Sequence, residues 1–491
     1  MLDDTIAKIY DFIDRRLLPI KLYYTFYYAA TTSIYAFLSA FLRKRGFKAS
    51  DLTFQMAVVP FTIFWIKPII GHFLDKDRRH WKLYLTIFLV NALLSMTLLW
   101  FFVPNLHNLH AKHASKKYIN NKSNFTQSRL QDPMILLLGE GEVVNVPNFL
   151  NVIDALGLAW FAVTLVLVVS GMTLGLSPSF SLMDIIAMET LGENIIHFGR
   201  QRMFMSVGQL CSILILSLSG KRDNFLNVEC MFVVYFVGIL FTLASLKFIK
   251  LYQLSDQKVE EIFSENREAT YGFFAFREVL RNIDIWPFLV LTFVCGLFSR
   301  DSLFSGYVCM AMSSILFAYY SGPIINYLSY EYTFALCLMC YTVRSCVWSM
   351  SAHTWTLMVV EFLLGVPVGL WISAFNSYAK KVAPEGSLAF ATFLFWGVYE
   401  GLGKDRHQRD FANSCCIGLM LSGLLHHLTG GTSSWHIFAY INLATSIFYL
   451  LSSHMIKKRN ARNIIERLLR PSKREYLEYT SNERDLILYP V

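Results

Sequence analysis

Asp184 and Arg202 stand eighteen positions apart, the acid beyond Pro178 and the base inside the stretch Phe198-Gly199-Arg200-Gln201-Arg202-Met203-Phe204. A carboxylate and a guanidinium can join through two parallel hydrogen bonds, and such a pair can hold a polar solute or take part in coupling. Consecutive antiparallel helices would bring the two side by side. The plainer reading is a structural ion pair or surface charge near a helix end. Glu361 is a second candidate, an acid about seven residues into an apolar run and away from any loop. A carboxylate at such depth is a proton site or a solute partner, or else it pairs with Arg344 to hold two helices together; Glu400 has similar standing. A third cluster, Gly71-His-Phe-Leu-Asp75-Lys76-Asp77-Arg78-Arg79-His80, closes an apolar run. There Gly71 would admit a neighbouring helix and Asp75 with Arg79 would form a charge lock, unless the segment is only a basic loop that sets orientation.

Other chemistries lack their residues. The sequence has no Ser/His/Asp triad, phosphate-binding loop or dinucleotide fingerprint, so neither an enzyme nor an ATP-driven pump is expected. Its nine cysteines are scattered without metal-ligand spacing, so no cofactor, metal site or disulfide framework is expected.

The elements that must position these residues follow from composition. Of 491 residues 55% are hydrophobic and only 16% charged, against about 25% charged in a soluble domain. The shortfall lies in apolar runs near the ~20 residues needed to cross a bilayer core. Runs fall at about 19–41, 52–74, 82–103, 154–178, 203–219 and 228–250, then at about 285–304, 305–328, 333–351, 354–378, 387–428 (interrupted) and 434–456. The expected fold is an all-α membrane protein with twelve transmembrane helices in two six-helix bundles. Residues 1–18 form an N-terminal segment, 19–250 the first bundle, 251–284 a polar linker, 285–456 the second bundle and 457–491 a basic tail. The net charge of +9 sits between and after the apolar runs. That placement favours contact with the lipid bilayer and orientation signals over nucleic acid.

Short loops set the orientation. With both termini cytoplasmic, the inside receives Lys76, Arg78, Arg79, Lys82, Arg200, Arg202, Lys247, Lys250, Lys380, Lys381 and the basic tail, while Arg43, Lys44, Arg45 and Lys48 dissent. The longest loop, 104–153, would then lie outside. It carries two glycosylation sequons, Asn121-Lys-Ser123 and Asn124-Phe-Thr126, and offers a surface for an extracellular ligand. The first apolar run reads as a retained helix rather than a cleaved signal, and the membrane as plasma membrane or endomembrane. Lys67 reads as a snorkelling side chain in preference to a cavity charge, and the tyrosines of 23–28 mainly as packing.

The 71–80 cluster resembles the signature between helices two and three of the major facilitator superfamily, with Arg78 standing where the family has its second glycine. The resemblance implies that Gly71, Asp75 and Arg79 govern conformational switching. The Phe198–Phe204 string is similar to lactose permease and more closely resembles the major-facilitator-associated, domain-six-like group. That resemblance extends to Pro19-Ile-Lys21 and Lys67-Pro68, and more loosely to Arg344, Trp355, Glu361-x-x-x-Gly365 and Gly397-x-x-x-Gly401-x-Gly403. In lactose permease an acid and an arginine matching Asp184 and Arg202 bind the galactoside. Here Met205 replaces a usual glycine and Gln209 a tryptophan, so the resemblance does not carry a galactoside with it.

Two places depart from the pattern. Only Ser299-Arg300-Asp301-Ser302 separates the seventh run from the eighth, and the charged stretch Asp405-Arg406-His407-Gln408-Arg409-Asp410 interrupts the eleventh. One such charge costs about 2.5–3.5 kcal/mol in a membrane. Joining Lys404 to Ser414 restores a continuous helix, so 405–413 reads as an insertion. The expected function is alternating-access secondary transport of a small polar or anionic solute, proton-coupled by analogy, with Asp184, Arg202 and Glu361 as solute or coupling residues. The competing reading is a receptor or scaffold that keeps the fold without transport.

Overall fold

A computed structural model describes residues 17–47, 49–104, 147–219, 228–249, 279–283, 285–298, 304–350, 354–384, 386–403, 428–429 and 431–469. Residues 105–146 of the expected outer loop, with Asn121 and Asn124, most of the 251–284 linker, residues 299–303 and the 405–413 stretch lie outside them.

Twelve main helices follow one another among the described residues. The first six are α1 (Leu18–Lys44), α2 (Ala49–Lys76), α3 (Trp81–Phe102), α4 (Pro147–Leu191), α5 (Phe198–Ser219) and α6 (Val228–Leu246). The others are α7 (Ile285–Phe298), α8 (Phe304–Tyr319), α9 (Ser321–Met350), α10 (Thr354–Val382), α11 (Leu388–Gly403) and α12 (Gly431–Leu469). Eight described stretches are long and apolar enough to span a bilayer, and α7 and α8 are shorter apolar helices. Large side chains such as Phe73, Phe101, Leu218 and Val359 point outward. Rods that are apolar outside as well as inside suit a hydrocarbon solvent, where the helix satisfies its own backbone polar groups.

Boundaries shift in ways that matter for the site. The fourth apolar run was expected at about 154–178 with an extension carrying Asp184, and α4 does continue past it, through a π-helical turn at Ser170–Leu176 to Leu191. Pro178 does not stop it: the bond its missing N–H cannot make falls at the junction of the π turn with the next α-helical segment, where proline is tolerated. Residues Ser177 to Met188 are all buried, so Asp184 sits in the protein interior and not on a surface extension. Helix α5 begins at Phe198, five residues earlier than expected, which brings Arg202 inside the helix. Ser329 breaks α9 with φ 61° and separates a short 321–328 piece from the long rod after it. Helix α12 runs on to Leu469, and Lys457, assigned to the tail, pairs with Glu331 at 3.1 Å.

Within the first six helices α1 packs on α5 and α6, and α3 packs on the π turn of α4. Within the second six, α10 packs on α8 and α9, α9 on α12, and α7 on α11. The most extensive contacts between the halves are α2 with α11 and α5 with α8, with α4 also touching α10 and α11. Small residues make both contacts close. A Cβ on Gly71 would stand 2.8 Å from Phe393 Cβ and 2.9 Å from the Ala389 carbonyl, and one on Gly199 would overlap Ser321 and Ala318. The halves therefore meet backbone to backbone at the end that bears the α2–α3 turn.

Candidate functional site

Five helices converge on Asp184. Arg202 Nη1 donates to Oδ1 in a short contact, and the Tyr24 hydroxyl donates to the same oxygen at 2.7 Å. Asn376 Nδ2 donates to Oδ2 at 2.8 Å, and Trp396 Nε1 holds the other side of Asn376 at 3.2 Å. Arg202 Nη2 reaches the Tyr28 hydroxyl at 3.2 Å, while its Nε has no hydrogen-bond partner among the described residues. The guanidinium carbon lies 4.4 Å from the Phe180 ring centroid, with Tyr24, Tyr28 and Trp396 within 6 Å. Asp184 is fully buried and Arg202 only 2% exposed. A pair this deep stands only if both charges are compensated, and removing one partner of such a pair costs about 3–5 kcal/mol.

Sequence reasoning brought Asp184 and Arg202 together, and the structure does the same. Their partners came from further away. Tyr24 and Tyr28 belong to α1, and Asn376 and Trp396 belong to the second half. Asn376 sits in an apolar run where a lone amide stands out, the one signal that could have marked it.

A second ion pair lies across the same aromatic wall. Lys67 Nζ of α2 meets Glu400 Oε2 of α11 at 2.9 Å, and Ser177 of α4 donates to that oxygen at 2.7 Å. Snorkelling was expected of Lys67, but its side chain is 0% exposed and points inward. Two local features allow the meeting. Pro68 has no N–H for the Phe64 carbonyl, and Gly397 and Gly401 of α11 pack on Phe64. Glu400 itself lies in a π-helical turn, Val398–Gly403, whose wider pitch re-aims side chains. Phe180 and Trp396, 4.5 Å apart edge to face, separate the two pairs. Lys67 Nζ stands 5.9 Å and 5.6 Å from their ring centroids.

Glu361 lies elsewhere. It accepts from Arg344 at 3.0 Å and from the Trp348 indole at 3.1 Å, a buried cluster within the second half joining α9 to α10. The arrangement matches the pairing with Arg344 that the sequence left open, and none of these bonds reaches Asp184.

At the joined end, Asp75 accepts the backbone N–H of Ala389 at 2.9 Å and of Phe390 at 2.7 Å. Both belong to the first turn of α11, where free amides and the helix field favour a carboxylate. Gly71 supplies the close approach. Arg79, expected to complete the lock, is exposed. Arg78 takes that place, 3.8 Å from Asp75 and 3.7 Å from Glu189 of α4. A tight turn at Arg78–His80 rotates the two arginines by enough to exchange their roles. Asp77 anchors that turn through His80 and Tyr84, and these bonds hold its carboxyl below the usual carboxylate range. Lys380 of α10 adds bonds to the carbonyls of Met188 and Gly192. Among the described residues no group of His, Cys, Asp and Glu is arranged to hold a metal ion.

Twelve apolar helices in two packed sets, joined along α2–α11 and α5–α8 around a buried polar layer, define a membrane protein of the major facilitator fold. The chain belongs to the MFS_1 like family, whose model matches residues 17–437. No curated protein gives a significant match. Among solved structures the E. coli fucose:proton symporter superposes with a TM-score of 0.54 at 12% identity, over 90% of this chain and 99% of that one. The human organic anion transporter TETRAN gives 0.53 at 11% identity, over 89% and 99%. A variant of the nucleoside transporter NupG gives 0.52 at 13%, also over 89% and 99%. At these identities the likeness is one of fold.

Proposed function

We propose that this protein is a secondary transporter that carries a small polar or anionic solute by alternating access, coupled to protons. In this reading 19–250 rocks against 285–456 around the Asp184–Arg202 layer, both termini face the cytoplasm, and the sequons at Asn121 and Asn124 carry glycans outside. The observation that supports it best is the Asn376–Asp184 bond. A buried carboxylate–guanidinium pair of the first half is capped by an amide of the second, so any separation of the halves uncovers that pair. Structures of similar fold carry sugars, nucleosides and organic anions across membranes, which agrees with a solute carrier and leaves its solute open. Asp75 and Gly71, with Arg78 beside Arg79, serve as the gate at the α2–α11 end. The residues of the domain-six-like group and of lactose permease that match Asp184 and Arg202 point the same way.

Uptake into cells or proteoliposomes across a panel of sugars, nucleosides and organic anions tests the reading. A solute carried by the parent should be lost with Asp184→Asn and with Arg202→Ala. Uptake that survives both substitutions would remove the site assignment, and a parent that carries nothing while binding none of the panel would favour a receptor or scaffold.

A further inference from the structure

The second ion pair has a property the first lacks. Asp184 and Arg202 both belong to the first half and travel together, whereas Lys67 and Glu400 belong to opposite halves along the α2–α11 seam. Ser177 ties the Glu400 carboxylate to α4 as well. Opening this seam strands a lysine and a glutamate in an apolar layer, and a buried charge left without its partner costs several kcal/mol. Movement requires something that removes one charge and replaces the partner of the other.

We propose that Lys67 and Ser177 form an anion site that a monocarboxylate solute with a flat apolar body takes over from Glu400 when Glu400 binds a proton. The inference rests on the reading of the chain as a solute carrier and names its solute class and its proton site. Before the exchange the layer holds Lys67⁺ and Glu400⁻. After it the layer holds Lys67⁺, neutral Glu400 and the solute carboxylate, so its net charge is unchanged. One O–H bond forms on Glu400 as a hydronium ion or buffer acid of the solution gives up its proton, one ion contact is exchanged for another, and nothing is oxidised or reduced.

Geometry favours Glu400 over Asp184 for this role. The Lys67 ammonium and the Ser177 hydroxyl both donate to Glu400 Oε2, where a visiting carboxylate oxygen would find the same two donors. Asp184 is held on both oxygens from three helices. Glu400 keeps 16% of its side chain exposed while Asp184 has none, so a proton can reach it. The Phe180–Trp396 pair beside Lys67 offers a face for the apolar body of the solute. Lys67 comes from α2, Ser177 from α4, and Tyr27 and Tyr28 of α1 lie within the electrostatic reach of Glu400. Tyr399 precedes it on α11, and Cys295 is the one titratable side chain on α7 among its described residues. Arg202 faces the same aromatic pair from its far side.

The test uses full-length protein purified in detergent, with benzoate as the anion and benzamide as its neutral counterpart. Benzoate binding is read by thermal shift and by titration in weak buffer. In the parent, apparent affinity should tighten by up to about tenfold per pH unit from about pH 8 to about pH 6, with one proton taken up per benzoate. Glu400→Gln should bind benzoate with a pH dependence below about twofold and take up no proton. The double variant Lys67→Gln with Glu400→Gln strands no charge and should lose benzoate while keeping the parent's melting behaviour. Benzamide should leave all three unaffected. Absence of benzoate binding to the parent, equal response to benzamide, or full proton uptake in Glu400→Gln each overturns the proposal. Because binding is read without transport, a failure here leaves alternating access to be judged by the uptake assay alone.

Discussion

Replacing Asp75 with asparagine should open the α2–α11 end. The carboxylate accepts two backbone N–H bonds from the first turn of α11, at 2.9 Å and 2.7 Å. Hydrogen bonds to a charged group contribute about 1.5–3 kcal/mol each, and the field at a partly buried helix N-terminus adds about 0.3–2 kcal/mol. Asparagine keeps one acceptor oxygen and turns its amide against the other N–H. One charged bond and most of the field term are lost, roughly 2–4 kcal/mol in favour of the separated state. At 1.4 kcal/mol per factor of ten, the ratio of open to closed molecules should rise by roughly 30- to 700-fold. Spin labels at Lys76 and Lys381, exposed positions at the ends of α2 and α10 on opposite halves, would report this in a background with the native cysteines replaced. The parent should give a short distance and Asp75→Asn a population at a longer one. Identical distance distributions for the two proteins would refute the claim that Asp75 holds the halves together.

Three further outcomes follow from the same geometry. Arg202→Ala leaves Asp184 buried without its guanidinium, so thermal stability should fall by the equivalent of about 3–5 kcal/mol. The double variant Asp184→Asn with Arg202→Gln should recover most of that stability without recovering solute uptake. Glu361→Gln should lower the melting temperature by freeing Arg344 but change solute affinity less than about twofold; a tenfold loss of affinity in isothermal titration would place Glu361 in the solute site. Gly199→Val puts a side chain where Ser321 and Ala318 already stand, so α5 and α8 should move apart and the spin-label pair should shift as in Asp75→Asn, with helical content by circular dichroism unchanged.

Much of this protein is legible along the chain, because the requirement that apolar runs match a bilayer is local. The six runs before the polar linker and the six after it became twelve helices, and the acid and base of α4 and α5 could be paired because consecutive antiparallel helices lie side by side. The errors also have physical causes. Asp184 was expected on a cytoplasmic extension of the fourth helix past Pro178, and packing instead buries that whole segment in the interior. Arg79 was chosen over Arg78 by analogy of spacing, and one tight turn between helices reverses which of them faces Asp75.

Residues far apart in sequence were beyond such reasoning. Asn376 lies 192 positions from Asp184, and Glu400 lies 333 from Lys67. No periodicity links them, since each sits on a helix whose partner is decided by how two separately formed bundles dock. Lys67 illustrates the division. Its sequence context, a lysine before a proline inside an apolar run, is equally compatible with a charge reaching for lipid headgroups and with one turned inward. The choice was made by α11, whose Gly397 and Gly401 let it approach Phe64 and whose π turn presents Glu400. Apolar length along the chain determined that these helices cross a membrane. Docking of the two halves decided which buried charges meet, because a charge in a low-dielectric interior is stable only opposite the partner that packing delivers.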